Sequence, residues 1–408
     1  MHKFIATAVL AAAFATPLHA AENWVASWQA SPHAAWRDGD FVLPAGVPAA
    51  LAQQTVRETA RLSVGGRRVR IVLSNRYGSE PLVVGEAQVA RADGADGNIV
   101  PGTGQALTFG GQRGTVIPPG APALSDPLDM SVQALEKLAV SVYLPQKTPL
   151  ATFHWGAQQT GHLAAGNATG AAALPGATPL HGRALLAGIW VDAAHPTRAV
   201  VAFGDSITDG NGSTPDRDRR WPDQLAGRLS AGGAAVAVVN AGISGARLLG
   251  DRMGANAAAR FEQDVLAQPG VYTALVLMGI NDIGWPHSAL APQEAPMTAA
   301  RMIAAYRQLI AQAHARGVRI VGGTLLPFEG ALQDTPFRGY YTPAKDAVRG
   351  EVNRWIRESG EFDEVADFDA LLRDPDHPSR MQPRYDSGDH LHPGDAGYAA
   401  IARSISRY

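Results

Sequence analysis

One serine, one asparagine and one Asp–His pair in this chain stand where they could do chemistry together. The apolar run Ala199-Val200-Val201-Ala202 leads into Phe203-Gly204-Asp205-Ser206-Ile207-Thr208-Asp209. A short buried strand ending in Gly-Asp-Ser places the Ser206 hydroxyl at a strand's C-terminal edge, where ligands bind in open α/β sheets. Such a hydroxyl becomes a nucleophile only if a base, an orienting carboxylate and oxyanion donors converge on it. The chain has a candidate for each. Asn240-Ala241-Gly242-Ile243-Ser244-Gly245 follows a second apolar run. A glycine in that turn can bring its N–H close to a reacting carbonyl oxygen, because no Cβ intervenes. A third run ends in Met278-Gly279-Ile280-Asn281-Asp282, which sets the Asn281 carboxamide at the same edge as a second donor. Near the C-terminus lies Tyr385-Asp386-Ser387-Gly388-Asp389-His390-Leu391-His392-Pro393, before a helix from Gly394. An Asp and a His three residues apart can bond locally, and the carboxylate then orients the imidazole for proton transfer.

Plainer readings compete with these. Gly-Asp-Ser alone is usually a turn, and Asn281-Asp282 can cap the helix that follows. Asp205 and Asp209 read as hydrogen-bond braces for the loop, and Asp282 as structural. Met278 and Trp285 could line an acyl pocket, although packing is the default for both. His390 rivals His392 as the base, but only His392 has Asp389 at −3 and Pro393 at +1. Ser244 rivals Ser206 without a preceding Gly-Asp. Position 208 is Thr, so the run is not Gly-x-Ser-x-Gly, and the candidate Asp sits just before the His; both facts argue against an α/β-hydrolase. The sequence has no His-Glu-x-x-His, no Gly-x-x-x-x-Gly-Lys and no Gly-x-Gly-x-x-Gly after a strand, so neither a metal nor a nucleotide cofactor is expected. Residues 93–98 read as a turn in preference to a calcium loop.

The elements that must hold these residues divide the chain in two. From about 55 to 155 the pattern is of short strands without helical periods, which implies an antiparallel sandwich. Thr55 to Val64 and Arg67 to Asn75 alternate around Gly65-Gly66 and read as a hairpin with a two-residue turn. The stretch 161–182 is rich in Gly, Ala, Pro and Thr and reads as an irregular connection. From about 198, strand-like runs at 199–203, 235–239, 274–278, 318–324 and 364–368 alternate with helical segments, which indicates a parallel sheet. The clearest helix covers about Met297 to Ala315, with Met302, Tyr306, Leu309, Ile310 and Ala313 on one face and Gly317 as its stop. The expected organisation is a sandwich-like domain over 21–160, a connection over 161–197 and a catalytic domain over 198–408.

Taken together, Gly204-Asp205-Ser206, Gly245, Gly279-Ile280-Asn281-Asp282 and Asp389-His390-Leu391-His392-Pro393 resemble the GDSL/SGNH hydrolase superfamily. The resemblance covers about residues 198–408, with four blocks in the family's order. It implies a three-layer α/β/α fold and an acyl-transfer site. Ser206 would be the nucleophile, His392 the general acid/base and Asp389 its orienting partner. The Ser206 N–H, the Gly245 N–H and the Asn281 side chain would form the oxyanion hole. Residues 24–155, beginning Trp24-Val25-Ala26-Ser27-Trp28, resemble the β-rich region that some secreted bacterial members carry before the catalytic domain.

The composition is that of an ordinary globular protein: 408 residues, 46% hydrophobic and 18% charged, with a net charge of −2. That balance gives no electrostatic reason to expect nucleic acid or an acidic membrane as partner. His2 and Lys3, an apolar stretch from Phe4 to Ala15, and Thr16-Pro17-Leu18-His19-Ala20 describe a secretory signal peptide over residues 1–20. The stretch is too short to span a bilayer, which takes ~20 residues. No integral membrane segment is expected after cleavage, and the location is secreted or periplasmic. With no cysteine, the exported chain must stand on its apolar core. The expected activity is hydrolysis of short acyl esters, such as acetyl groups on polysaccharide. A lipase or lysophospholipase, an acyltransferase and a glycan-binding protein are the alternatives.

Overall fold

The computed structural model describes residues 22–36, 41–94 and 96–405, so the expected signal peptide lies outside the described residues. From Trp24 to Asp192 the chain is β-rich. Trp24–Gln29 pairs antiparallel with Leu186–Asp192, which pairs with Gly66–Ser74. Pro122–Leu124 and Leu128–Val132 lie along the other edge of Gly66–Ser74. A second antiparallel sheet runs Thr178–Leu180, Gly161–Ala165, Gln54–Arg61, Lys137–Leu144, Glu86–Asp93. Alternation sends Val69, Ile71 and Leu73 of the first sheet and Val56, Val140 and Val142 of the second into one apolar core. Each such buried side chain is worth roughly 1.5–3 kcal/mol, which is how a region without disulfides holds two sheets together.

Two expectations fail here. Gln54–Arg61 and Gly66–Ser74 are both strands, but they do not form a hairpin; they belong to different sheets. Neither Gly65 nor Gly66 has a positive φ, which a two-residue hairpin turn requires. Those glycines serve close packing instead: a Cβ would come within 2.4 Å of the Val132 carbonyl at Gly65, and within 2.7 Å of the Asp192 carbonyl at Gly66. Residues 161–197, expected as a connection, contribute strands to both sheets, among them the long strand Leu186–Asp192. The Gly/Ala-rich part is held by the buried guanidinium of Arg57, which donates to the carbonyls of Gly97, Ala168, Thr169 and Ala171. A donor more than 100 residues away satisfies backbone that local patterning leaves without a partner.

Beyond residue 197 the periods change as expected. Five parallel strands stand in the order Val236–Gly242, Arg198–Gly204, Val271–Leu277, Arg319–Gly323, Glu364–Ala366. In sequence order that is 2-1-3-4-5, which puts the topological switch point at the end of the first strand, between it and the third. Around the sheet the helices pack in pairs, Trp221–Ala231 with Asp395–Ser404 and Ala299–Ala315 with Pro343–Glu358. Thr298 caps Ala299–Ala315 by accepting the Arg301 N–H, and Met302, Tyr306, Leu309, Ile310 and Ala313 are all buried. Gly317 ends the helix at φ +66°, and the Val318 N–H returns to the Ala313 carbonyl.

The two halves are bonded to each other. The Ala26 N–H donates to Pro269 O at 3.0 Å, Gln29 Nε2 to Asp264 O at 2.9 Å and the Val238 N–H to Ser63 Oγ at 3.1 Å.

Candidate active site

Gly204, Gly242 and Leu277 lie at one register level across three neighbouring strands. Ser206, Gly245 and Asn281 therefore leave the sheet two to four residues past the same line. Gly204 has no room for a side chain, since a Cβ would come within 2.0 Å of Thr208 Oγ1 and 2.6 Å of the Leu277 carbonyl. The strand can thus turn at once into the short helix Ser206–Asp209. Asp205 caps that helix by accepting the Ile207 N–H at 3.0 Å.

On this turn Ser206 Oγ is 2.7 Å from His392 Nε2, and His392 Nδ1 is 2.5 Å from Asp389 Oδ2. The other Asp389 oxygen accepts the N–H groups of Leu391 and His392, so the carboxylate is fixed by the backbone of the loop that carries the imidazole. Burial alone would raise the Asp389 pKa. The hydrogen bond and charge of His392, with the two backbone donors, reverse this and hold the carboxyl well below the usual carboxylate range. Ser206 is 4% exposed and His392 8%. The rivals are engaged elsewhere. His390 Nδ1 bonds Asp386 at 2.6 Å, its side chain is 44% exposed, and it does not touch Ser206. Ser244 Oγ donates to Asp209 at 2.6 Å and meets no imidazole.

On the segments that leave this edge of the sheet, three N–H hydrogens have no acceptor among the described residues. Neither the Ser206 N–H nor the Gly245 N–H has an acceptor among the described residues. Asn281 Nδ2 donates one hydrogen to the Ala246 carbonyl at 3.0 Å and has no acceptor for the other. Gly245 takes φ +74°, and a Cβ there would overlap Met253, so the turn that carries this N–H requires glycine. Uncommitted donors in a region this enclosed need a reason. The Asp282 carboxylate accepts the N–H groups of Leu248 and Leu249, which fixes the Gly245 loop to the Asn281 segment and agrees with a structural role.

Residues 202–400, about half the chain, match the model of the GDSL-like Lipase/Acylhydrolase family. This half of the protein belongs to that family. Its structure is similar to that of a putative lipolytic GDSL protein from Desulfitobacterium hafniense, at 21% identity and a TM-score of 0.38, over 51% of this chain and 97% of the other. It is likewise similar to an acetylxylan esterase from Geobacillus stearothermophilus, at 25% identity and a TM-score of 0.37, over 51% and 91% of the two chains. A putative acylhydrolase from Bacteroides fragilis matches at 18% identity and a TM-score of 0.36, over 50% and 83%. No curated protein sequence matches the chain.

The GDSL half does not build its surroundings alone. A cleft of about 550 Å³ beside Asp389 and His392 is walled by Asn211 and Gly212 and, from the β-rich half, by Trp155, Gln158 and His181. A larger hollow of about 790 Å³ touches Asp386 and His390 but none of Ser206, Asp389 and His392, so the smaller cleft is the one next to the Asp389–His392 pair. His154, a residue the sequence reading did not single out, donates from Nδ1 to the Ser31 carbonyl at 2.8 Å, and its Nε2 lies 2.9 Å from Asp209 Oδ1. The other Asp209 oxygen receives the N–H and hydroxyl of Ser244, next to Gly245. The β-rich half thus braces the loop that bears one of the free N–H groups. Among the described residues, no three His, Asp or Glu side chains gather as a metal site.

Burial pushes the Asp205 carboxyl up to about 7, against the opposing pull of the Ile207 N–H and of His392. An unfolded Asp ionises near pH 4. The stabilisation from keeping Asp205 neutral is therefore complete below pH 4 and is lost as the pH rises to 7. Asp205→Asn keeps an acceptor for Ile207 and cannot ionise. It should match the parent in urea melts at pH 4 and gain on it progressively to pH 8, by up to ~4 kcal/mol. A difference that stays constant with pH would assign the effect to something other than Asp205 ionisation.

Proposed function

We propose that the protein is an exported serine esterase that cleaves short acyl groups, such as acetyl, from carbohydrate through an acyl-enzyme on Ser206. The observation that carries this reading is the unbroken Ser206–His392–Asp389 relay, with both contacts within hydrogen-bond reach. His392 Nε2 takes the Ser206 proton as Oγ attacks the ester carbonyl, while Asp389 holds the Nδ1–H and steadies the imidazolium. The carbonyl oxygen becomes an oxyanion and receives the free N–H groups of Ser206, Gly245 and Asn281. Collapse expels the alkoxide, which takes its proton from His392. Water, deprotonated by His392, then releases the acid.

The cleft beside His392 offers a substrate both polar groups, Gln158, Gln159, Asn211 and His181, and apolar ones, Pro44, Ala45 and Trp155, so acyl length is left to the kinetic comparison. The segment Phe4 to Ala15 with Ala20 behind it supports export. Among the described residues no helix is long and apolar enough to cross a membrane. The test compares p-nitrophenyl acetate with p-nitrophenyl octanoate, with Ser206→Ala as control, and measures acetate release from acetylated xylan, pectin and peptidoglycan. A kcat/KM at least tenfold higher for acetate, with release from one of the polymers, is the expected result. Faster octanoate turnover would move the assignment to a lipase.

A further inference from the structure

Asn281 is useful to an oxyanion only if it presents its NH2 end, because a carboxamide turned by 180° offers a carbonyl to a developing negative charge. Three partners decide which end points where. Trp285 Nε1 reaches Asn281 Oδ1 at 3.2 Å, and an indole N–H can only donate. The Tyr340 hydroxyl reaches the same oxygen at 2.7 Å. On the other side, the Ala246 carbonyl takes one hydrogen of Nδ2, and a carbonyl can only accept. We infer that Tyr340 and Trp285 are positioning residues that lock the Asn281 amide, so that its second N–H is held ready for the oxyanion. This inference rests on the esterase reading above and deepens it.

The surroundings keep the lock closed. Tyr340 is fully buried, and burial pushes its phenol well above its ordinary range, so it remains a donor. Its ring lies against Gly284, where a Cβ would come within 2.3 Å of it; the short helix Ile280–Gly284 can approach the phenol only because that residue is glycine. Lys345 Nζ ties the Gly284, Gly339 and Tyr340 carbonyls together and so joins the two segments. Trp285 is clamped between Phe41, stacked at 5.6 Å, and the guanidinium of Arg247 at 4.7 Å. Trp285 is 1% exposed and lines neither the cleft beside His392 nor the larger hollow. It is packed, and its one polar atom is spent on Asn281.

A double-mutant cycle on Asn281 and Tyr340 tests the inference with p-nitrophenyl acetate. Asn281→Ala should lower kcat by about two to three orders of magnitude. Tyr340→Phe should lower kcat roughly five- to tenfold with KM unchanged, because the oxyanion exists only after the ground state. In the Asn281→Ala background, Tyr340→Phe should cost nothing further, since no amide remains to be held. An unchanged kcat in Tyr340→Phe overturns the lock, and so does the same fold-loss in both backgrounds, which is what a structural defect would give. If Tyr340→Phe does not fold, Trp285→Phe carries the same cycle. Ser206→Ala separates the levels: full activity there defeats the esterase reading itself, whereas an inactive Ser206→Ala with a fully active Tyr340→Phe defeats the lock alone.

Discussion

Replacing Ser206 with Ala is expected to lower kcat on p-nitrophenyl acetate by about 10⁶, and His392→Ala by a similar factor. The size follows from the two residues acting as one unit. Without Oγ there is no atom to form the acyl-enzyme. Without Nε2, 2.7 Å away, that atom keeps its proton and is a poor nucleophile. The double variant should therefore be no slower than either single one. Stopped-flow measurement of p-nitrophenol release checks this, because the burst that reports acyl-enzyme should vanish in both. Activity that multiplied down in the double variant would mean that the two residues work independently, contrary to their geometry. Folding should be nearly untouched in Ser206→Ala, since the helix it opens is capped by Asp205.

The second large effect belongs to Asp389→Asn, where kcat should fall by about 10⁴ with the fold intact. The asparagine can keep its Oδ1 in place, because the N–H groups of Leu391 and His392 both donate to that atom. Its NH2 then faces His392 Nδ1 at the position of Oδ2, which is 2.5 Å from the ring in the parent. A donor there forces Nδ1 to accept and places the imidazole proton on Nε2, facing Ser206. The base is then occupied by a proton before the reaction starts. Raising the pH should not restore the rate, because the fault is the tautomer and not the charge. Asp389→Ala is the comparison: it loses the loop's acceptor as well, and its melting temperature should drop where that of Asp389→Asn does not. A rate within tenfold of the parent in Asp389→Asn would show that the carboxylate does not set the tautomer.

What could be read from the sequence was local. Asp389 and His392 are three residues apart, and the runs before Ser206, Gly245 and Asn281 announce three strands whose ends the sheet aligns at Gly204, Gly242 and Leu277. The helix Ala299–Ala315 was legible for the same reason, since its apolar face and its glycine stop are contiguous. Contacts over long separations were not. Gly65-Gly66 carries the residue types of a hairpin turn, yet those glycines are needed for approach to Val132 and Asp192. The irregular stretch between the strands Gly161–Ala165 and Thr178–Leu180 is anchored by Arg57, and an arginine in a strand gives no local sign that it will serve carbonyls over 100 positions away. His154 and Tyr340 left no mark either. Each sits in an unremarkable local pattern, and each matters through one atom of a distant side chain, Asp209 or Asn281.

The bond from His154 to Asp209 bears on whether the two halves can be exchanged by engineering. A β-rich half and a hydrolase half look like cassettes that recombination could trade freely at residue 197. The imidazole that braces the Ser244–Gly245 loop lies on one side of that cut and its carboxylate on the other. A chimera taking the hydrolase half from this chain and the β-rich half from elsewhere would carry Asp209 without its imidazole partner, and one wall of the cleft would be replaced at the same time. Swapping one half alone thus unmakes a contact that braces the Ser244–Gly245 loop, and the two halves work as one structural unit at this site.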